Sequence, residues 1–494
     1  MGIPSYFRKI VKAYPDCILD TPPEASILCF DFNCLIYRCL RSPSLPPYSG
    51  EGQDWEKLLL KEVISCVKEV WHAAGKPSHV YIGVDGVVPM AKIRQQRVRR
   101  FKSAWQRTSA WDTNAITPGT EFMEKLTSIL HKEGAKHAKW VVSGSDEPGE
   151  GEHKILSYLR AVDVKGPVIV YGLDADLILL TMLLSEEKNI PMFLLREKQE
   201  FGQTNSDADV KIQEYSFLSI QELKRLVHVT DHKSSLNYIG LMNLMGNDFL
   251  PHSLTHKLNE DGHECVIREL VRMKDTSNWL IDEEGGITLP VLRGIFAKWS
   301  KDEASRMESM IHKKEQQARR GTLKGMDPIE GLPLQWNVEA ALLHKGRLRS
   351  NWKDLYWKWM HPTVDREKVC NEYMRGFKWI IDYYTGKNVN LEWMYPYWIP
   401  PLWSDLECIH IIPLSEEEGT VRLEAQEQLA MVLPLSSWAL VRDPSLRTLP
   451  VKCPQLWPLH FSFFSAGRKW LWECEALVPV LTAGRLRYIL KKEV

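Results

Sequence analysis

These 494 residues contain no disulfide framework, no zinc-ligand spacing, no membrane-length apolar run and no internal repeat. The ten cysteines are scattered, with no CxxC pair and no His/Cys cluster, which excludes a disulfide scaffold and reads as reduced thiols of a cytoplasmic or nuclear protein. The strongest apolar stretch, LILLTMLL at 177–184, is core-sized and falls well short of the ~20 residues a bilayer span needs. The opening MGIPSYFRK lacks the apolar region of a secretion signal, and Tyr6 stands where a myristoylation signal needs Ser or Thr. Net charge is absent too. With 63 basic and 63 acidic residues, attraction to a polyanion has to come from local concentration of charge.

The length suggests two or three domains. In the first 250 residues four short apolar runs, SILCF (26–30), HVYIGV (79–84), KWVVSG (139–144) and PVIVYGL (167–173), alternate with amphipathic segments. That alternation predicts an α/β domain over 1–255, with a mainly parallel central sheet flanked by helices. Ligands of such sheets sit beyond the carboxyl ends of the strands. Residues 256–345 read as a helical connector, and KDEASRMESMIHKKEQQARRG (301–321) mixes both signs as a solvated helix does. The remaining 346–494 read as a mostly helical, Trp-rich second region packed against the first.

Each predicted strand of the first domain is followed by acids: Asp31, Asp85, Glu150 with Glu152, and Asp174 with Asp176. Asp248 follows a further apolar segment. Residues at i and i+2 of an extended segment point to one side, so each pair is expected to aim two carboxylates at one point. Seven converging carboxylates repel one another unless a divalent cation such as Mg²⁺ neutralises them. Two such ions activate water and stabilise the leaving oxygen of a phosphodiester. Any single strand–Asp–helix junction is more often a helix cap than a metal ligand. Recurrence at four strand ends, doubled at two, favours the metal reading.

Within MAKIRQQRVRRFKSAWQR (90–107) there are seven cations and no acid. Pro89 suits a helix start, and Lys92, Gln96, Arg99 and Arg100 then share one face beside Asp85, a candidate phosphate grip. Arg94, Arg97, Lys102 and Arg107 spread over the rest of the helix surface, where they are expected to follow a nucleic-acid backbone. A basic solvated helix is the competing reading.

The motifs FDFNCLIY, VDGVVPMAKIRQQRVRRF, NAITPGTEFM, SGSDEPGEGEHKI, YGLDADLILL and MGNDFLPH, in this order, closely resemble the Xrn family of 5′→3′ exoribonucleases. YMRGFKWIIDYYTG, WMYPYWIPP and the closing GRKWLWECEALVPVLTAGRLRYIL resemble its second conserved region. The resemblance implies a PIN/FEN-like nuclease core and a Mg²⁺-dependent enzyme, with Mn²⁺ as a substitute. Such an enzyme removes nucleotides from single-stranded RNA carrying a 5′-monophosphate, working with a decapping or RNA-cleaving partner and as a monomer. It places metal-binding acids at Asp31, Asp85, Glu150, Glu152, Asp174, Asp176 and Asp248. Lys92, Gln96, Arg99 and Arg100 fall on its 5′-phosphate pocket, and Asn33 falls near the terminal nucleotide.

Three departures stand out. Tyr37 replaces a histidine expected to stack on a base, Leu391 replaces the first Trp of a W-x-W while Trp393 remains, and the excursion after RRF is short. Tyr37 and Trp393 are the expected base-stacking residues. A DNA flap nuclease and a non-catalytic RNA-end binder are the alternatives.

Overall fold

The computed structural model describes residues 3, 5–50, 52–106, 110–201, 214–321, 327–359, 365–410 and 423–491. The four expected strands form as β2 (Ile27–Asp31), β3 (His79–Gly83), β4 (Trp140–Ser143) and β5 (Val168–Tyr171), preceded by β1 (Ile18–Leu19). Beyond them lie β6 (Met192–Glu197) and β7 (Tyr215–Ser219). The sheet order is β1-β7-β6-β5-β2-β3-β4, parallel from β6 through β4 and antiparallel only where β7 meets β6 and β1.

From β2 the chain winds outward to β4, crosses back through the Gly151–Ala161 helix to β5, then winds the other way to β6. The boundary between β2 and β5 is therefore the place where the direction of winding reverses. A crevice opens there because the crossovers leave on opposite faces. Side-chain alternation matches this. Cys29, Tyr81, Val170 and Leu194 join one buried cluster, and Leu28, Phe30, Ile82 and Tyr171 join the other.

The first cluster continues without a break through Met307, Phe377 and Trp403 to Ala466. The Glu303–Arg320 helix is therefore not the solvated helix that its mixed charge suggests. Met307, Met310 and Ile311 are buried, and Lys314, 2% exposed, pairs at 2.7 Å with the fully buried Glu339. Charged residues on one face mask an apolar stripe on the other.

The basic segment forms one helix, Met90–Gln106, wedged between the sheet domain and the C-terminal region. Most of the expected backbone-following cations turn inward. Arg97, 3% exposed, donates through Nε to the Pro479 carbonyl at 3.2 Å, through Nη1 to that of Met431 at 2.5 Å, and through Nη2 to that of Leu456. Arg94 donates to the Tyr397 carbonyl at 2.8 Å, and Lys102 to those of Trp472 and Cys474 at 2.8 and 2.9 Å. Arg107 lies outside the described residues. Arginine reaches several carbonyls at once because its planar fork presents donors in several directions. Replacing Arg97 by Ala orphans three carbonyls, and the expected cost is about 3 kcal/mol or more. Urea denaturation of Arg97→Ala, with proteolysis mapped to 423–491, checks this.

Candidate active site

Asp31 ends β2 and Asp85 lies two residues past the end of β3. The Asp85 carboxylate is an anchor: Oδ1 accepts from the Gly151 amide at 2.7 Å and Oδ2 from Asn33 Nδ2 at 2.9 Å. It thereby ties β3 to the start of the Gly151–Ala161 helix and to the helix after β2. Gly151 is obligatory at this crossing. A Cβ there would lie 2.7 Å from the Gly83 carbonyl oxygen and 2.8 Å from Asp31 Oδ1.

The doubled acids converge, but for a different reason than the extended-strand spacing suggests. Glu150 occupies the N-cap position of the Gly151–Ala161 helix with no capping hydrogen bond, and Glu152 sits in its first turn. Ala175 is already helical, and Asp176 begins the Asp176–Lys188 helix. Each pair thus straddles a helix N-terminus, whose partial positive charge favours carboxylates.

Asp31, Asp85, Glu150, Glu152 and Asp174 line one cavity of about 130 Å³. The same cavity is lined by Lys92, Gln96, Arg99 and Arg100, with Asn33 and Tyr37. The two other predicted acids do not line it. Asp248 accepts from Lys92 Nζ at 2.8 Å from behind, and Asp176 is 1% exposed beside Asp174. Single oxygens of Asp31, Glu152 and Asp174 lie within 4.8 Å of one another, and a second such group joins Glu150, Glu152 and the ring of His153.

The electrostatics fit a site for a divalent cation. Burial, then neighbouring carboxylates, pushes the Asp31 and Glu152 carboxyls well above the usual range, and Asp176 rises to about 7 for the same reasons. Both Asp176 oxygens and Glu152 Oε1 have no hydrogen-bond partner. Buried acceptors without donors are costly, and a hard divalent ion is the group that satisfies several at once. Lys92 meets part of this demand. Its ammonium lies 2.6 Å from Glu150 and 2.8 Å from Asp248, and those carboxylates hold it charged against the effect of burial.

The cationic face is built for an anion. Lys92, Gln96 and Arg100 are under 9% exposed, and Gln96 Oε1 and Arg100 Nε lack partners. Arg100 is oriented by Nη1 donating to Asn114 Oδ1 at 2.9 Å. Asn114 belongs to the NAITPGTEFM segment, whose Ile116 and Pro118 form the facing wall.

Tyr37, 36% exposed, lies at the rim. Trp393 does not. It is 7% exposed, packs on Trp379 with ring centroids 5.3 Å apart and presses against Gly376, so no face is free for a base. Leu391 lines a larger cavity of about 570 Å³ beside His153 and Tyr383.

Two residues escaped sequence reasoning. Tyr383, from the Arg366–Tyr384 helix, donates its hydroxyl to Glu150 Oε1 at 2.8 Å. His153 stacks on that ring at 3.8 Å, and burial pushes its pKa down to about 3. Tyr383 is remote in sequence, and only the repetition of aromatics in WIIDYY hints at it.

Comparison with known proteins agrees with this arrangement. Residues 1–198 match the XRN 5′-3′ exonuclease N-terminus, and residues 349–492 match the Xrn1 helical domain. A Drosophila melanogaster protein named 5′-3′ exoribonuclease 2 homolog is 23% identical over 98% of this chain and 70% of its own length. The 5′-3′ exoribonuclease 1 proteins of Schizosaccharomyces pombe and Homo sapiens are 25% and 26% identical over 98% and 100% of this chain. The chain spans only 48% and 34% of those two. The matches cover both ends of the chain, and the acids and cations of the first matched segment meet in one cavity: the protein belongs to the Xrn family of 5′→3′ exonucleases.

Proposed function

We propose that this protein is a divalent-cation-dependent 5′→3′ exoribonuclease that removes nucleoside 5′-monophosphates one at a time from single-stranded RNA bearing a 5′-monophosphate. One observation carries the reading: five strand-end acids and the four residues of the phosphate grip line a single cavity of about 130 Å³. A binder of RNA ends needs the cations alone. The acids fit a phosphodiester hydrolase, and the names of the related proteins agree.

Bound Mg²⁺, or Mn²⁺ in its place, supplies Lewis acidity that activates water and stabilises the departing oxygen. Asp31, Glu152 and Asp174 would hold one such ion, with Asp85, Glu150, Asp176 and Asp248 completing the charge around it. Lys92, Gln96, Arg99 and Arg100 bind the 5′-phosphate and fix the chain end, which sets the first phosphodiester against the acids. Asn33 and Tyr37 meet the terminal nucleotide, and a tyrosine ring stacks on a base as a histidine does, at ~1–3 kcal/mol. Tyr383 keeps the Glu150 carboxylate in place. Walls made of Ile116, Pro118 and the basic helix leave little room for a cap or triphosphate, so exclusion is steric. In this reading residues 1–255 carry the chemistry, 256–345 connect, and 346–494 brace the site.

With a 3′-labelled RNA, the 5′-monophosphate form is expected to disappear with Mg²⁺ and mononucleotide product, while the 5′-triphosphate and 5′-hydroxyl forms and EDTA controls persist. Asp174→Ala should lower kcat about a thousandfold, and Arg99→Ala should raise KM about tenfold. Binding of RNA with no divalent-dependent product would instead leave an end-binding scaffold.

Tyr383→Phe removes one hydrogen bond to a charged carboxylate, so kcat should fall about tenfold with little change in KM. An unchanged kcat would remove Tyr383 from the machinery.

The Asp176 carboxyl, raised to about 7, holds a proton in the folded state that the unfolded chain releases at lower pH. In EDTA the melting temperature should therefore fall as pH rises through about 7. Mg²⁺ or Mn²⁺ should restore it most at pH 8, where no proton competes, and Asp176→Asn should flatten the dependence. Scanning fluorimetry between pH 6 and 8 tests all three.

A further inference from the structure

A second cavity, of about 300 Å³, lies against the basic helix on the other side of the phosphate grip. Arg99 lines both cavities, and the ion pair of Lys92, in the first, with Asp248, in the second, joins their linings at 2.8 Å. The second cavity is lined by Arg94, Arg99, Lys102 and Arg468 and by three acids, Asp248, Glu473 and Glu475; Lys102 and the Nη2 of Arg94 already hold backbone carbonyls. Two of those acids are already engaged, Asp248 by Lys92 and Glu473 by the backbone amides of Lys469 and Trp470. Arg468 is 4% exposed, its Nη1 held by both ring nitrogens of His252, and its Nε has no partner; Arg94 Nε and Gln95 Oε1 also have none. At the rim Trp472 is 50% exposed. Partly unsatisfied cations leading to an exposed aromatic ring make a built site for a phosphate with a flat apolar group attached.

The geometry points to this cavity as the exit for the released nucleoside 5′-monophosphate, with Arg99 handing the phosphate from the grip to Arg94 and Arg468. The inference rests on the exonuclease reading and extends it. After each cleavage the product phosphate occupies the grip that the next 5′-phosphate must enter, while the remaining RNA fills the mouth past Tyr37. A product that can leave only through that mouth must displace the RNA, and the enzyme then loses its substrate at every step. An exit past Arg99 would separate the two paths, with Arg94 and Arg468 receiving the dianionic phosphate. No bond is made or broken in the transfer.

The test uses Gln95→Trp, which places bulk in the second cavity and leaves the acids and the grip untouched. Rapid-quench assays on 3′-labelled monophosphate RNA, with each shortened length resolved, should give a first cleavage at the wild-type rate. Each later turnover should slow about tenfold or more, a burst of one nucleotide per enzyme. Gln95→Ala, which opens the cavity, should cycle at least as fast as wild type. An independent measurement needs no variant: nucleoside 5′-monophosphate added to the wild type should inhibit noncompetitively toward RNA, because it enters from behind while RNA is bound. Purely competitive inhibition, or a Gln95→Trp enzyme that slows the first cleavage and later ones equally, would overturn the exit. A wild type that cleaves no RNA at all would fail the exonuclease reading, and the exit with it.

Discussion

Repulsion among carboxylates at the carboxyl edge of β2, β3 and β5 is the constraint around which the rest of the protein is arranged. Asp31, Glu152 and Asp176 are buried where their charges raise one another's pKa values, a placement that favours neither folding nor solubility by itself. Their tolerance depends on cations and dipoles brought from elsewhere. The helix N-termini at Gly151 and Asp176, the Lys92 ammonium and the Tyr383 hydroxyl each take part of the load. What remains unsatisfied, chiefly the Asp176 oxygens, is the demand that a divalent ion meets.

The Met90–Gln106 helix joins this site to the C-terminal region and has two opposed duties. One face presents Lys92, Gln96, Arg99 and Arg100 to the acids. Arg94, Arg97 and Lys102 on other faces hold carbonyls between Tyr397 and Pro479. The second region therefore positions the phosphate grip as well as contributing Tyr383. Were it to loosen, the helix would lose the packing that holds its cations against one wall. The buried Lys314–Glu339 pair and the unbroken apolar cluster through Met307 extend the same rigidity to the middle segment.

The departures from the family pattern fall around the cavity mouth rather than in its depth. All seven acids and the four grip residues are present, while Tyr37 stands at the rim and Leu391 borders a separate cavity of about 570 Å³. With Trp393 packed on Trp379, the aromatic surface offered to a base within the first cavity is Tyr37. The lining of that cavity is thus richer in charge than in aromatic surface.

The sequence by itself determined the four central strands, the acids that follow them and the helix face shared by Lys92, Gln96, Arg99 and Arg100, because these depend on local periodicity: two for a buried strand, 3.6 for a helix. It also identified the family through motifs in order. Tertiary structure alone decided which cations serve the site and which serve the fold. Arg97 and Arg99 are two residues apart with identical chemistry, yet one is spent on the carbonyls of Met431 and Leu456 and the other faces the cavity. The same holds for the tryptophans and for Glu303–Arg320, where charge pattern implied solvent and packing imposed burial. Tyr383 reaches Glu150 across 233 residues of sequence. Such contacts follow from where whole elements pack, and pairing across long separations leaves no periodic trace in the chain.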